Sequence, residues 1–130
     1  MVSEGQITQF ARELISAEDE RKPIDAITNR AELSVADAYK IQLAIIKTKT
    51  NRKEKVVGKK IGLTAKRMQQ AFGIDQPDYG HIMDRLILGE GSPILLSDLI
   101  QPKIEVEIAF ILKEDLIRKV LDFKGDILIG

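Results

Sequence analysis

The sequence has 130 residues, 44% of them hydrophobic and 31% charged, a balance that fits one ordinary globular domain and excludes wholesale disorder. Lysine plus arginine equal aspartate plus glutamate at 20 each, so no net field steers the chain towards nucleic acid or an anionic membrane, and neither is expected as a partner. Cysteine is absent and His81 is the single histidine, which removes disulfides, thiolate nucleophiles and multi-histidine metal sites; carboxylate oxygen remains, the donor of hard ions such as Mg2+, Mn2+ or Ca2+.

In chain order, Ser3 and Gln6 form a capping-box pattern ahead of Ile7, Phe10, Ala11, Leu14 and Ile15 at helical spacing, which predicts a helix from about Glu4 to Glu18. Pro23 ends it, and Ser34 with Asp37 starts a second helix running to about Lys49. Its apolar positions, Ala38, Ile41, Leu43, Ala44, Ile45 and Ile46, cover more than a narrow stripe, so it is expected to be the better buried of the two. No apolar run reaches the roughly 18 residues a membrane span needs, and the N-terminal stretch is amphipathic and acidic, unlike a signal peptide; a cytoplasmic location is expected.

Lys47 to Lys60 is rich in basic residues and reads as a solvated helix end and loop. Val56 to Ile61 reads as a short strand, and Thr64 is placed to cap a helix carrying Met68, Ala71 and Phe72 that Gly73 stops. Strand signals follow at Ile82, Leu86 to Leu88, Ile94 to Leu96 and, most strongly, Ile104 to Leu112. Helices first and strands later predict an α+β fold, N-terminal helices followed by a mixed β-sheet, within one domain spanning residues 1–130.

The segment from Pro102 to Leu112 carries the clearest chemistry. In a strand Glu105 and Glu107 share a face with Cα atoms roughly 6.5 Å apart, opposite a core face of Ile104, Val106, Ile108, Phe110 and Leu112. Two carboxylates so spaced can converge on one hard cation, although by spacing alone an amphipathic strand with two solvated glutamates is the commoner outcome. Val56 to Thr64 has the glycines and lysines of a phosphate loop but lacks the Gly-Lys-Thr closure. Alternation sends Lys59 and Lys60 to opposite faces, so one can point into the fold, the exposed lysine being the commoner case. Asp75, Asp78 and His81 cluster in a proline-containing turn, where aspartate usually serves the turn and a lone histidine the surface.

Two stretches, VVGKKIGLTAKRMQQAFGIDQPDYG from Val56 to Gly80 and LIQPKIEVEIAFILKEDL from Leu99 to Leu116, together with ADAYKIQ from Ala36 to Gln42, resemble the 2-oxopent-4-enoate (2-keto-4-pentenoate) hydratase and 4-oxalocrotonate decarboxylase family of the fumarylacetoacetate hydrolase superfamily. The resemblance implies a metal-dependent lyase of aromatic meta-cleavage catabolism, hydrating 2-hydroxypenta-2,4-dienoate to 4-hydroxy-2-oxopentanoate or decarboxylating 4-oxalocrotonate. It implies that Glu105 and Glu107 ligate Mg2+ or Mn2+, and that Lys60 and Asp78 line the active site and take part in proton transfer. A small 2-oxo or 2-hydroxydienoate acid is the implied substrate, and a homo-oligomer or a hydratase–decarboxylase partnership the implied assembly. On this reading residues 1–55 are the helical part, 56–116 carry the family motifs and 117–130 form a divergent tail. Family members are longer and bring a third acidic metal ligand from a later strand; Ile117 to Gly130 has no clear counterpart, Asp122 and Asp126 being the acidic residues there, so the chain reads as a shortened member. The alternative function is a catalytically silent remnant or accessory module that associates through an uncovered β edge.

Overall fold

The computed structural model describes residues 2–114; Asp122, Asp126 and the rest of the tail lie outside the described residues. Helix α1 runs over Glu4–Glu20 and begins in the expected capping box: the Gln6 N–H donates to Ser3 Oγ at 3.3 Å while the Ser3 N–H donates to Gln6 Oε1 at 2.9 Å. It closes on Arg21 in the left-handed conformation, φ 54°, whose N–H and that of Lys22 turn back to the last carbonyls of the helix. Helix α2, Val35–Asn51, opens on a second capping box between Ser34 and Asp37, with the Asp37 carboxylate buried. Hydrogen bonds from Ser34 hold that carboxyl below its ordinary value, against the opposing effect of burial.

The two helices meet through Ile7, Phe10, Ala11 and Ile41, closed at one end by Ile27 of the intervening loop. The Arg30 guanidinium lies 5.4 Å from the Phe10 ring centroid and pairs with Glu13, so the loop is held to α1 by cation–π and ionic contact. Burial corrects one expectation. α1 is the better buried helix, contributing Ile7, Phe10, Ala11, Ile15 and Ala17, whereas Ile41 is the one fully buried apolar residue of α2 and Leu43 is 51% exposed. The apolar positions of α2 extend around the helix further than α1 can cover, and its flank carrying Tyr39 and Gln42 is given to the strands.

Those strands are β1, Val56–Gly62, and β2, Asp78–Met83, paired antiparallel as the two-stranded sheet of the described residues. Helix α3, Lys66–Phe72, lies between them in sequence. Gly73 ends it in the left-handed conformation as expected, but its N-cap is Ala65 without a side-chain bond, so Thr64 does not cap it. Instead the buried Gln69 side chain donates to the Leu63 carbonyl at 2.6 Å, holding Leu63 at φ 52° where β1 ends. The expectation of a mixed sheet is overturned. Asp84–Leu86 and Leu96–Asp98 are short 3-10 turns, and Ile104 to Leu112 is not a strand: Ile104 and Ile111 are 97% and 99% exposed. Alternation prepares a face, but a strand needs a partner for its N–H and C=O groups, and no described residue pairs with this segment.

An ionic clasp joins the parts. Glu18 of α1 accepts from Lys49 Nζ at 2.8 and 2.6 Å and also pairs with Arg85, just beyond β2; Arg85 reaches Glu54 at 3.0 Å, and Asp19 pairs with Arg52 at 2.7 Å. Among the described residues no helix is long and apolar enough to cross a membrane.

Candidate functional site

The β1–β2 ladder has two unlike faces. Lys59 stands opposite His81 and Ile61 opposite Tyr79 on one; Lys60 stands opposite Gly80 and Gly62 opposite Asp78 on the other. The first face docks on α2. The Tyr79 ring stacks on Tyr39 with centroids 4.7 Å apart and planes 16° from parallel, and the Tyr79 N–H approaches the Tyr39 hydroxyl at 3.4 Å. Gln42 uses both ends of its amide on β2: Nε2 donates to the Tyr79 carbonyl at 3.1 Å, and Oε1 lies 3.0 Å from His81 Nδ1.

This arrangement fixes the histidine's protonation. An amide oxygen can only accept, so Nδ1 carries the hydrogen; Nε2, 3.1 Å from Lys59 Nζ, is then the acceptor of the lysine's proton. The neutral Nδ1–H tautomer alone satisfies both contacts. Burial, aided by the charge of Lys59, pushes the His81 pKa below its ordinary value, in the same sense.

The opposite face carries the two expected proton-transfer residues. Lys60 and Gly62 are two apart on β1, and Asp78 and Gly80 are two apart on β2, so the structure brings Lys60 and Asp78 to one face as diagonal cross-strand neighbours. Both side chains lie low. A Cβ built on Gly80 would stand 3.3 Å from Lys60 Cγ, and one built on Gly62 would overlap Asp78 Oδ1, so each functional side chain folds across the glycine opposite it. Lys59 and Lys60 are both exposed, the commoner of the two cases expected for β1, and Lys59 reaches His81 and the Tyr79 ring on the opposite face from Lys60.

Glu105 and Glu107 are not brought to this face; both are exposed in the unpaired stretch after Gln101. Their oxygens are the right donors for a hard cation, but such an ion takes about six or more ligands, and among the described residues no three His, Asp or Glu side chains group to hold one. The described residues therefore do not assemble a metal centre. A hollow of about 380 Å³ between α1 and α2, bordered by Arg12, Asp19 and Arg52, touches none of the four expected site residues.

Sequence reasoning misses the clasp of Tyr39 and Gln42 on β2. A signal for it exists: two polar residues three apart on a helix otherwise rich in apolar residues, facing an alternating Tyr79-x-His81 pair.

No family model matches the chain. The 2-hydroxypent-2,4-dienoate hydratase of Pseudomonas putida is 41% identical to it over 112 residues, 85% of this chain and 50% of the hydratase. Its homologues are 2-keto-4-pentenoate hydratases and 4-oxalocrotonate decarboxylase. The 4-oxalocrotonate decarboxylase of Pseudomonas putida G7, solved with calcium and acetate, superposes with a TM-score of 0.75 at 32% identity, over 77% of this chain and 39% of the decarboxylase. A second structure of that decarboxylase, with magnesium and adipate, gives a TM-score of 0.63 at 32% identity over 65% of this chain and 33% of the other. The chain thus spans at most about half the length of these homologues.

Proposed function

We propose that the chain serves a metal-dependent lyase of aromatic meta-cleavage catabolism, acting on a small 2-hydroxydienoate or 2-oxo acid by hydration or decarboxylation. The observation that carries the reading is the shared face of Lys60 and Asp78, set in a segment homologous to hydratases and a decarboxylase. We assign Lys60 the ammonium that meets the substrate's negative oxygen, and Asp78 the carboxyl group that moves a proton to or from the carbon skeleton while water adds at C4. Among the described residues the side chains of Lys60 and Asp78 make no hydrogen bond or ion pair, their backbones alone being engaged in the ladder, so both are available to a ligand. Glu105 and Glu107 are assigned to Mg2+ or Mn2+, by analogy with the magnesium and calcium of the decarboxylase structures. We take the described part as belonging to a fumarylacetoacetate hydrolase-like fold, working in the cytoplasm, which a cysteine-free chain suits.

Turnover is followed by the loss of the ultraviolet absorbance of 2-hydroxypenta-2,4-dienoate in the presence of Mg2+. Lys60→Ala and Asp78→Asn should each lower kcat by about 100-fold or more. No turnover by the parent above a metal-only blank refutes the hydratase reading. Calorimetric Mg2+ binding that survives Glu105→Ala and Glu107→Ala refutes the assignment of the glutamates. A second reading, a catalytically silent module working within a larger assembly, is favoured by the bare apolar side chains of Ile104 to Leu112, which suit a homo-oligomer or a partner subunit. A monomer at all concentrations in sedimentation refutes it.

A further inference from the structure

Three glycines fall on one face of a strand pair of only two strands: Gly58 and Gly62 of β1 and Gly80 of β2. Glycine inside a strand weakens it, so three on one face require a cause. Backbone conformation is not that cause, since none of these three has a positive φ. What the three share is their place in the ladder. Each stands opposite a side chain, Ile82, Asp78 and Lys60 respectively, so every rung of this face holds one side chain and one vacancy.

The vacancies are not equivalent. A Cβ on Gly58 would make ordinary contact with Ile82 at 3.6 Å. On Gly80 it would press the Lys60 stem at 3.3 Å, and on Gly62 it would collide outright with the Asp78 carboxylate oxygen Oδ1. Resting on the assignment of Lys60 and Asp78 above, we propose that Gly62 and Gly80 are positioning residues: by lacking a Cβ, they let the Asp78 carboxylate and the Lys60 stem lie flat across the ladder, in opposite directions over neighbouring rungs. The spacing Lys-x-Gly on β1 and Asp-x-Gly on β2 is then one device, because alternation puts all four residues on the same face.

The experiment is an alanine series at the three glycines in the full chain, read by the side-chain carboxyl carbon signal of Asp78 and by the Lys59–His81 cross-strand contacts in NMR, with turnover as a third readout. Gly62→Ala should shift the Asp78 signal and lower kcat by about 100-fold with KM little changed, the usual cost of misplacing a reacting group by about an ångström, while the Lys59–His81 contacts persist. Gly80→Ala should leave the Asp78 signal in place and move the Lys60 side-chain signals; Gly58→Ala should move neither set. If the parent shows no turnover, the lyase reading fails and the NMR arm still decides this one. An Asp78 signal unmoved by Gly62→Ala overturns the proposal, as does an equal disturbance by Gly58→Ala. Should Gly62→Ala unfold the chain, adding Asp78→Ala restores the fold if the carboxylate is what Gly62 accommodates; failure to restore it overturns the proposal.

Discussion

Removing the Gln42 side chain tests whether α2 sets the position of the strand that carries Asp78. Gln42→Ala deletes two hydrogen bonds, from Nε2 to the Tyr79 carbonyl and from His81 Nδ1–H to Oε1, at 3.1 and 3.0 Å. Intramolecular hydrogen bonds contribute about 0.5–1.5 kcal/mol each, and these lie at a half-exposed site where water replaces part of the loss, so the pair should be worth about 1–2 kcal/mol. For a chain of this size that is a fall in Tm of roughly 3–10 °C by calorimetry or circular dichroism. Hydrogen exchange should localise the loss to the Tyr79 to Ile82 amides. Gln42→Glu supplies the complementary arm. It keeps an acceptor beside His81 but places a negative charge there, which should raise the histidine's pKa from its depressed position in the parent. A Tm unchanged in Gln42→Ala together with an unchanged His81 titration in Gln42→Glu would falsify the clasp.

The acid limb of stability follows from the same histidine. Because the folded-state pKa of His81 is depressed below 6.5, its contribution is fully present above 6.5 and is lost as pH falls through the folded value, where protonation takes the acceptor from Lys59. His81→Asn should flatten urea-melt stability across that window while leaving the loss at lower pH, where Glu13, Glu20 and Asp37 protonate with pKa values that are themselves depressed; identical profiles for parent and variant rule the switch out. At the clasp, the two partners should behave unequally. Lys49→Met keeps the buried stem and leaves Glu18 with Arg85, so its cost should stay within about 1 kcal/mol, whereas Glu18→Ala strands a lysine that is 7% exposed and should cost about 2–3 kcal/mol once the partial exposure of Glu18 is allowed for. Equal losses in denaturant melts contradict this account.

The two long helices are legible in the sequence because their starts are local chemistry: Ser3 with Gln6 and Ser34 with Asp37 satisfy helix-end donors within four residues of one another. β1 is legible by composition, and Gly73 by the conformation a helix end demands. Thr64 misleads because Gln69, from the next turn, takes up the backbone at Leu63, a contact that sequence spacing does not announce. The strand expected at Ile104 to Leu112 fails for a different reason, since alternation describes one side of a pairing and is silent about the other. Of the candidate site, the motif around Lys60 and Asp78 locates both residues, but their common face follows only from the register, Lys60 with Gly80 and Gly62 with Asp78. Tyr39 and Gln42 stay out of view because a helix–strand clasp is a tertiary fact spanning some forty residues.

The bare segment after Pro102 also bears on the behaviour of the chain in concentrated solution. Val106 to Leu112 joins high β-propensity to a single charge and has no proline, the composition that seeds cross-β stacking when it lies open. Its flanks answer that hazard: Lys103 and Glu105 precede it, Lys113 and Glu114 follow it, and Glu107 interrupts it. Copies stacked in register would place like charges directly over one another at each of those positions. The glutamates assigned to a cation are thus placed as gatekeepers as well, and replacing them by alanine to probe metal binding would remove two of the five charges that guard the segment against fibril growth.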